Sequence, residues 1–106
     1  MTMVNRYLNP AIPSPCYVCD EALLERNLKL MKRVQDESGA DIILALKGFS
    51  MWSTFPLVRD YLKGCTASSV WEARLAAEEF SREVHAYAPA YKQSDIAELL
   101  PIVHHI

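Results

Sequence analysis

Glycine is scarce in this chain, with only Gly39, Gly48 and Gly64 among 106 residues. Three isolated glycines cannot build a Gly-rich phosphate loop, which counts against a nucleotide-binding Rossmann unit. Cysteine is also sparse and odd in number: Cys16, Cys19 and Cys65. A disulfide framework is therefore not expected. There is no basic excess, since 11 Lys and Arg face 13 Asp and Glu for a net charge of -2. Binding along a nucleic-acid backbone is accordingly not expected. No apolar run approaches the roughly 20 residues that span a bilayer. The opening "MTMVNRYLNPAIPSP" lacks the basic-then-apolar layout of a secretory signal. A cytoplasmic location without membrane contact is the expectation.

What is present is an ordinary globular balance, 51% apolar and 23% charged, in a length that suits one domain or part of a larger one. Residues 1–15 carry Pro10, Pro13 and Pro15 with little periodicity and read as an extended lead-in; residues 16–106 read as the structured unit. "CYVC" is strand-like. Its two cysteines would then point to opposite faces, and no second Cys or His pair stands at zinc-site spacing, so no metal site is expected. Asp20 can cap a helix carrying an apolar stripe of Leu24, Leu28, Met31 and Val34, with Gly39 at its C-terminal end. "DIILAL" reads as a strand buried on both faces. Pro56 suits the first turn of a helix to about Leu62, closed by Gly64. "CTAS" is a short strand. Ser69 and Glu72 form an S-x-x-E capping box for a helix to about Phe80. "EVHAYA" is the next strand, ended by Pro89, and Ser94 can cap a last helix toward Leu100 before Pro101.

This β-α alternation predicts an α/β fold with parallel strands, either an open doubly wound sheet or part of a (β/α) barrel. Both fold types gather ligands at the C-terminal strand ends. Lys47, the Thr66–Ser69 turn and the stretch 88–91 fall at such ends. A lysine closing an apolar strand has two readings of equal standing. It can reach solvent or pair with an acid. Alternatively, desolvation can favour a neutral amine, the nucleophile that condenses with an aldehyde.

The blocks "LALKGFSMWSTFPLVRDYL" and "TASSVWEARLAAEEF", with "HAYAPAYK" beyond them, resemble the N-terminal part of carboxynorspermidine (carboxyspermidine) decarboxylases. These are pyridoxal 5'-phosphate (PLP) enzymes of the alanine racemase and ornithine decarboxylase fold, and the resemblance runs from about Pro15 to Lys92. It implies a TIM-like (β/α)8 barrel, incomplete here, with Lys47 as the Schiff-base lysine on the first barrel strand. It implies PLP-dependent decarboxylation of carboxynorspermidine or carboxyspermidine to norspermidine or spermidine. Thr66, Ser68 and Glu72 match positions that approach the cofactor, although the capping box explains Glu72 without a ligand. His85 reads as a core or hydrogen-bonded residue, His104 and His105 as solvated, and Trp52 and Trp71 as packing residues, with lining a pocket as the alternative. The family has alanine at the position of Gly48, a change expected to leave activity intact.

A complete barrel takes about 250 residues, and the family adds a β-domain. The phosphate loops, the pyridine-nitrogen partner and the polyamine-binding acids would lie beyond Ile106. The chain is therefore expected to be a fragment, inactive alone, of an enzyme that works as a homodimer. Two alternatives remain: a non-catalytic PLP-binding homeostasis protein on the same barrel, and a cofactor-free flavodoxin-like interaction module.

Overall fold

The computed structural model describes residues 9–106; the first part of the expected lead-in, residues 1–8, lies outside the described residues. Residues 9–15 form turns and bends without helix or strand. Helix α1 spans Glu21–Ser38. Its first turn is closed by the Asp20 carboxylate, which accepts the Leu23 N–H at 3.1 Å. Its last turn ends at Gly39, whose φ of 73° is the left-handed geometry that a glycine adopts freely.

Strand β1 (Ile43–Ala45), a 3₁₀ turn (Trp52–Thr54) and α2 (Phe55–Val58) follow. Then come β2 (Gly64–Ala67), α3 (Val70–Leu75), a π-helical turn (Ala76–Phe80), β3 (Glu83–Ala86) and α4 (Gln93–Leu99). The three strands make one parallel sheet in the order β1-β2-β3. Ala45 pairs with Thr66 and Thr66 with His85. An isolated parallel bridge then joins His85 to His105, extending the same row.

Strand alternation sorts the residues into two faces. Cys65, Ala67, Val84 and Ala86 are buried and turn toward the helices, where Phe55, Val58, Ala73, Ala76, Phe80 and Leu99 complete the core. Phe55 and Phe80 meet edge to face, with ring centroids 5.4 Å apart. The alternating residues Ala45, Thr66, Glu83 and His85 occupy the opposite face.

Several expectations change. Residues 16–20 form no strand, because no described segment pairs with them, and Tyr17 and Val18 are exposed. "DIILAL" is not buried on both faces: β1 is an edge strand of three partly exposed residues among the described strands. The stripe of α1 is narrower than its period suggested. Leu28 is buried and Leu24 packs on the core, whereas Met31 and Val34 face outward.

The attachment of α1 is partly polar. Gln35 donates to the Tyr61 carbonyl and accepts the Ile42 N–H, each at 2.8 Å. The Tyr61 hydroxyl donates to Glu25 at 2.7 Å. The expected helix from Pro56 is short, preceded by the 3₁₀ turn and ending at Val58. Gly64 closes no helix; it opens β2, where an added Cβ would lie 2.0 Å from the Glu83 carbonyl oxygen. Close approach of two backbones is what requires glycine there. The helix capped by Ser69 widens into the π turn before Phe80. Finally, α4 begins at Gln93, ahead of Ser94, and Asp95 accepts the Lys92 N–H at 3.0 Å.

Candidate functional site

The C-terminal ends of the strands carry the residues singled out from sequence. Strand β1 stops at Ala45, and the Gly48 and Phe49 N–H groups both return to the Ala45 carbonyl, at 3.0 and 3.2 Å. Lys47 therefore stands in the turn two residues beyond the strand. Its side chain is exposed, with no ion pair or hydrogen bond among the described residues. The desolvated setting expected for a nucleophilic lysine is thus absent, because no described element covers this strand end. The Leu46 N–H donates to the Thr66 carbonyl at 3.2 Å, placing the Lys47 turn beside the end of β2. A Cβ at Gly48 would meet only the Ala45 carbonyl, at an ordinary 3.5 Å. Alanine fits that position.

Thr66 lies within β2, half-buried, on the face away from the helices. Ser68, just past the strand, is exposed, and its N–H donates to Glu72 at 2.6 Å. The Ser69 hydroxyl accepts the Glu72 N–H at 3.1 Å. The reciprocal bonds have the logic of a capping box, with the carboxylate reaching one residue further back than the cap. Capping therefore occupies the Glu72 side chain.

A cleft of about 230 Å³ adjoins this turn. It is lined by Ser68, Ser69, Trp71, Ala90, Tyr91 and Asp95, among others, and the buried Tyr91 hydroxyl has no hydrogen-bond partner among the described residues. Trp71 and Trp52 are not packing residues as expected: both are largely exposed. Trp71 lies on the outer side of α3, with the Arg74 guanidinium 5.4 Å from its ring centroid.

The histidines depart most from expectation. His104 and His105 are tied to β3 rather than simply solvated. The Val84 N–H donates to His104 Nδ1 at 3.1 Å, and the Ala86 N–H donates to the His105 carbonyl at 2.8 Å. His105 stacks on His85, with centroids 4.5 Å apart and planes inclined by 24°. Glu83 Oε1 lies 3.2 Å from His85 Nε2 and 3.0 Å from His105 Nε2. The hydrogen bond with His105 is the main reason the Glu83 carboxyl is held below its ordinary range, with smaller help from Lys63 and His85.

The ligand atoms of Glu83, His85 and His105 lie within 4.8 Å of one another, a grouping that the sequence reading missed. Glu83-x-His85 is a same-face pair on a strand, which was visible. The return of His105 beside it depends on long-range register, which was not. By contrast Cys65 is buried, and burial pushes its thiol pKa up to about 12, so it is no nucleophile.

What these elements define first is a class: an α/β unit of sequential parallel strands with a lysine at the end of the first. No protein-family model matches the chain. Comparison with solved structures finds the crystal structure of carboxynorspermidine decarboxylase complexed with norspermidine from Campylobacter jejuni. It aligns with a TM-score of 0.87 and 43% identity, over 90% of this chain and 26% of that one.

Among curated proteins, the chain is 48% identical over 106 residues to carboxyaminopropylagmatine decarboxylase of Synechocystis sp., covering 97% of this chain and 27% of that protein. It is 43% identical to carboxynorspermidine/carboxyspermidine decarboxylase of Campylobacter jejuni, over 90% of this chain and 25% of the relative. The Herminiimonas arsenicoxydans protein of the same name is 40% identical, over 84% and 24%. The chain thus spans about a quarter of the length of these relatives. It is similar to the N-terminal part of carboxynorspermidine/carboxyspermidine decarboxylases.

Proposed function

We propose that the chain is the N-terminal part of a PLP-dependent decarboxylase acting on a carboxylated polyamine, with Lys47 holding the cofactor. The observation that carries this reading is the match to the norspermidine-bound decarboxylase, at 43% identity over nine-tenths of the chain. The relatives' activities support a carboxylated polyamine as substrate, of the class of carboxynorspermidine, carboxyspermidine or carboxyaminopropylagmatine. Residues 16–106 would be the opening units of a (β/α)8 barrel, following a lead-in of residues 1–15.

Strand order supports the barrel. The sheet runs β1-β2-β3, and the His105 bridge attaches to β3. Successive strands therefore neighbour one another, as in a barrel. Doubly wound sheets instead place their first four strands in the order 3-2-1-4 or 2-1-3-4. This ordering argues against the flavodoxin-like alternative. The uncovered face and edge of the sheet fit a unit completed by further strands.

The residues present fit PLP in part. Lys47 offers a primary amine, unpaired among the described residues, in the turn after β1, and Gly48 beside it adds no side chain. Thr66 and Ser68 offer hydroxyls at the neighbouring strand end, whereas Glu72 serves by fixing the Ser68 turn. When bound, PLP supplies the electron sink for the pair left behind as the substrate carboxylate departs as carbon dioxide. Lys47 would hold the cofactor through its aldehyde at the strand end, the position from which a substrate amine would take its place. The turn closed on the Ala45 carbonyl holds Lys47 at that end. The whole enzyme would be a cytoplasmic homodimer, and this chain alone inactive.

The test is carbon dioxide release by the longer protein from each of the three carboxylated polyamines. Release from at least one supports the proposal. PLP binding without release from any would favour a cofactor-homeostasis role.

A further inference from the structure

The geometry points to a divalent transition-metal site, of the kind zinc occupies, formed by Glu83, His85 and His105. The site uses none of the residues that the function proposed above assigns to the cofactor. Glu83 and His85 stand two residues apart on β3 and so share a face. His105 is brought beside His85 by a parallel bridge. Two backbone bonds fix that bridge, from the His104 N–H to the Val84 carbonyl and from the Ala86 N–H to the His105 carbonyl, both at 2.8 Å. The position of the third ligand is therefore set by strand register, 22 residues along the chain from the first.

The donor separations suit a small cation. Zinc binds imidazole nitrogen and carboxylate oxygen at about 2.0–2.2 Å in a tetrahedral shell, which places neighbouring donors roughly 3.3 Å apart. Glu83 Oε1 already lies 3.2 and 3.0 Å from the two Nε2 atoms. The ligand atoms all lie within 4.8 Å of one another. The remaining adjustment falls to His105, whose side chain is 60% exposed.

The donor chemistry is selective as well. Two imidazoles and one carboxylate make up the three-ligand set of open zinc sites, and they favour zinc, iron, nickel or copper over the oxygen-seeking magnesium and calcium. Lys63 approaches the other Glu83 oxygen at 3.7 Å, but its ammonium is held by Asp41 at 2.6 Å, so Oε1 faces the two imidazoles and not the ammonium. His104 engages the Val84 N–H through Nδ1 and stands apart from the three ligands, which provides a control on the same segment.

The experiment titrates zinc into the metal-stripped chain against a chromophoric chelator. A C16S/C19S background removes the two thiols outside the core, and far-UV circular dichroism confirms that each variant is folded. One zinc per chain is expected. H85A and H105A should each weaken binding by about tenfold or more, since even outer-shell losses cost 10–100-fold, while H104A leaves it unchanged. E83Q keeps the shape and a hydrogen-bonding end and should also weaken binding, so the test survives if a histidine variant misfolds. Cobalt loaded into the same background should show d–d bands without thiolate charge transfer. The proposal is overturned by the absence of stoichiometric binding, or by binding that H85A and E83Q leave intact.

Discussion

Replacing Gly64 by alanine tests the packing of the sheet at its tightest point. The new Cβ would lie 2.0 Å from the Glu83 carbonyl oxygen, 2.8 Å from its carbon and 3.0 Å from its Cβ. Carbon–oxygen contacts settle at about 3.3 Å or beyond, so β3 would have to move roughly 1.3 Å from β2, against a normal strand spacing of about 4.8 Å. The obstructing atoms are backbone and cannot swing aside. Alanine gains about 0.5–1 kcal/mol over glycine in strand propensity. Overpacking of this kind costs about 1–3 kcal/mol and sometimes more. The clash wins, and G64A should be less stable by about 2 kcal/mol, a large share of the 5–15 kcal/mol typical of a domain.

Two further glycines separate the causes. G39A places alanine at φ 73° with nothing within 4 Å, a conformational cost of about 1–2 kcal/mol. G48A meets one ordinary contact and should be neutral or stabilising by up to about 1 kcal/mol. Urea unfolding followed by circular dichroism should rank the three as G64A below G39A below G48A. A G64A chain as stable as G48A would refute the steric reasoning.

Three other outcomes follow from the structure. Cys65, fully buried and with its thiol pKa pushed up to about 12, should resist a thiol-specific reagent in the folded chain, while the exposed Cys16 reacts; reaction of all three thiols at one rate would contradict this. F80A should cost about 3–5 kcal/mol, because Phe80 is fully buried against Phe55, and a loss under about 1 kcal/mol in urea unfolding would show the core to be misplaced. The Glu83 carboxyl, held low chiefly by its bond with His105, contributes stability that is present above the ordinary glutamate value of about 4.3 and lost as pH falls through its lower folded value. Protection of the Ala86 amide, which is bonded to the His105 carbonyl, should fall across that acidic window when exchange is referred to the intrinsic rate at each pH, and E83Q should remove the step.

Local signals were the most legible part of the sequence. Asp20, Gly39 and the Ser69–Glu72 pair each act within one turn of chain, and each acts as its residue type suggested. The three paired strands overlap the segments read as strands, "DIILAL", "CTAS" and "EVHAYA". What depended on distant partners was not. "CYVC" has strand composition, but pairing makes a strand, and no described segment lies beside it. Met31 and Val34 follow the helical period, yet period alone does not say which part of a stripe is covered. Gly64 resembled a helix terminator because a clash with Glu83, 19 positions away, has no local signature. His105 was unreadable for the same reason. Lys47 was correctly placed at a strand end, but its exposure depends on what covers that end.

The most direct measurement of the account concerns Lys47. The longer protein is incubated with PLP and reduced with borohydride, and the modified peptide is mapped by mass spectrometry. The account predicts a single phosphopyridoxyl adduct on Lys47, abolished together with carbon dioxide release in K47A. An adduct on another lysine, or decarboxylation undiminished in K47A, would contradict it.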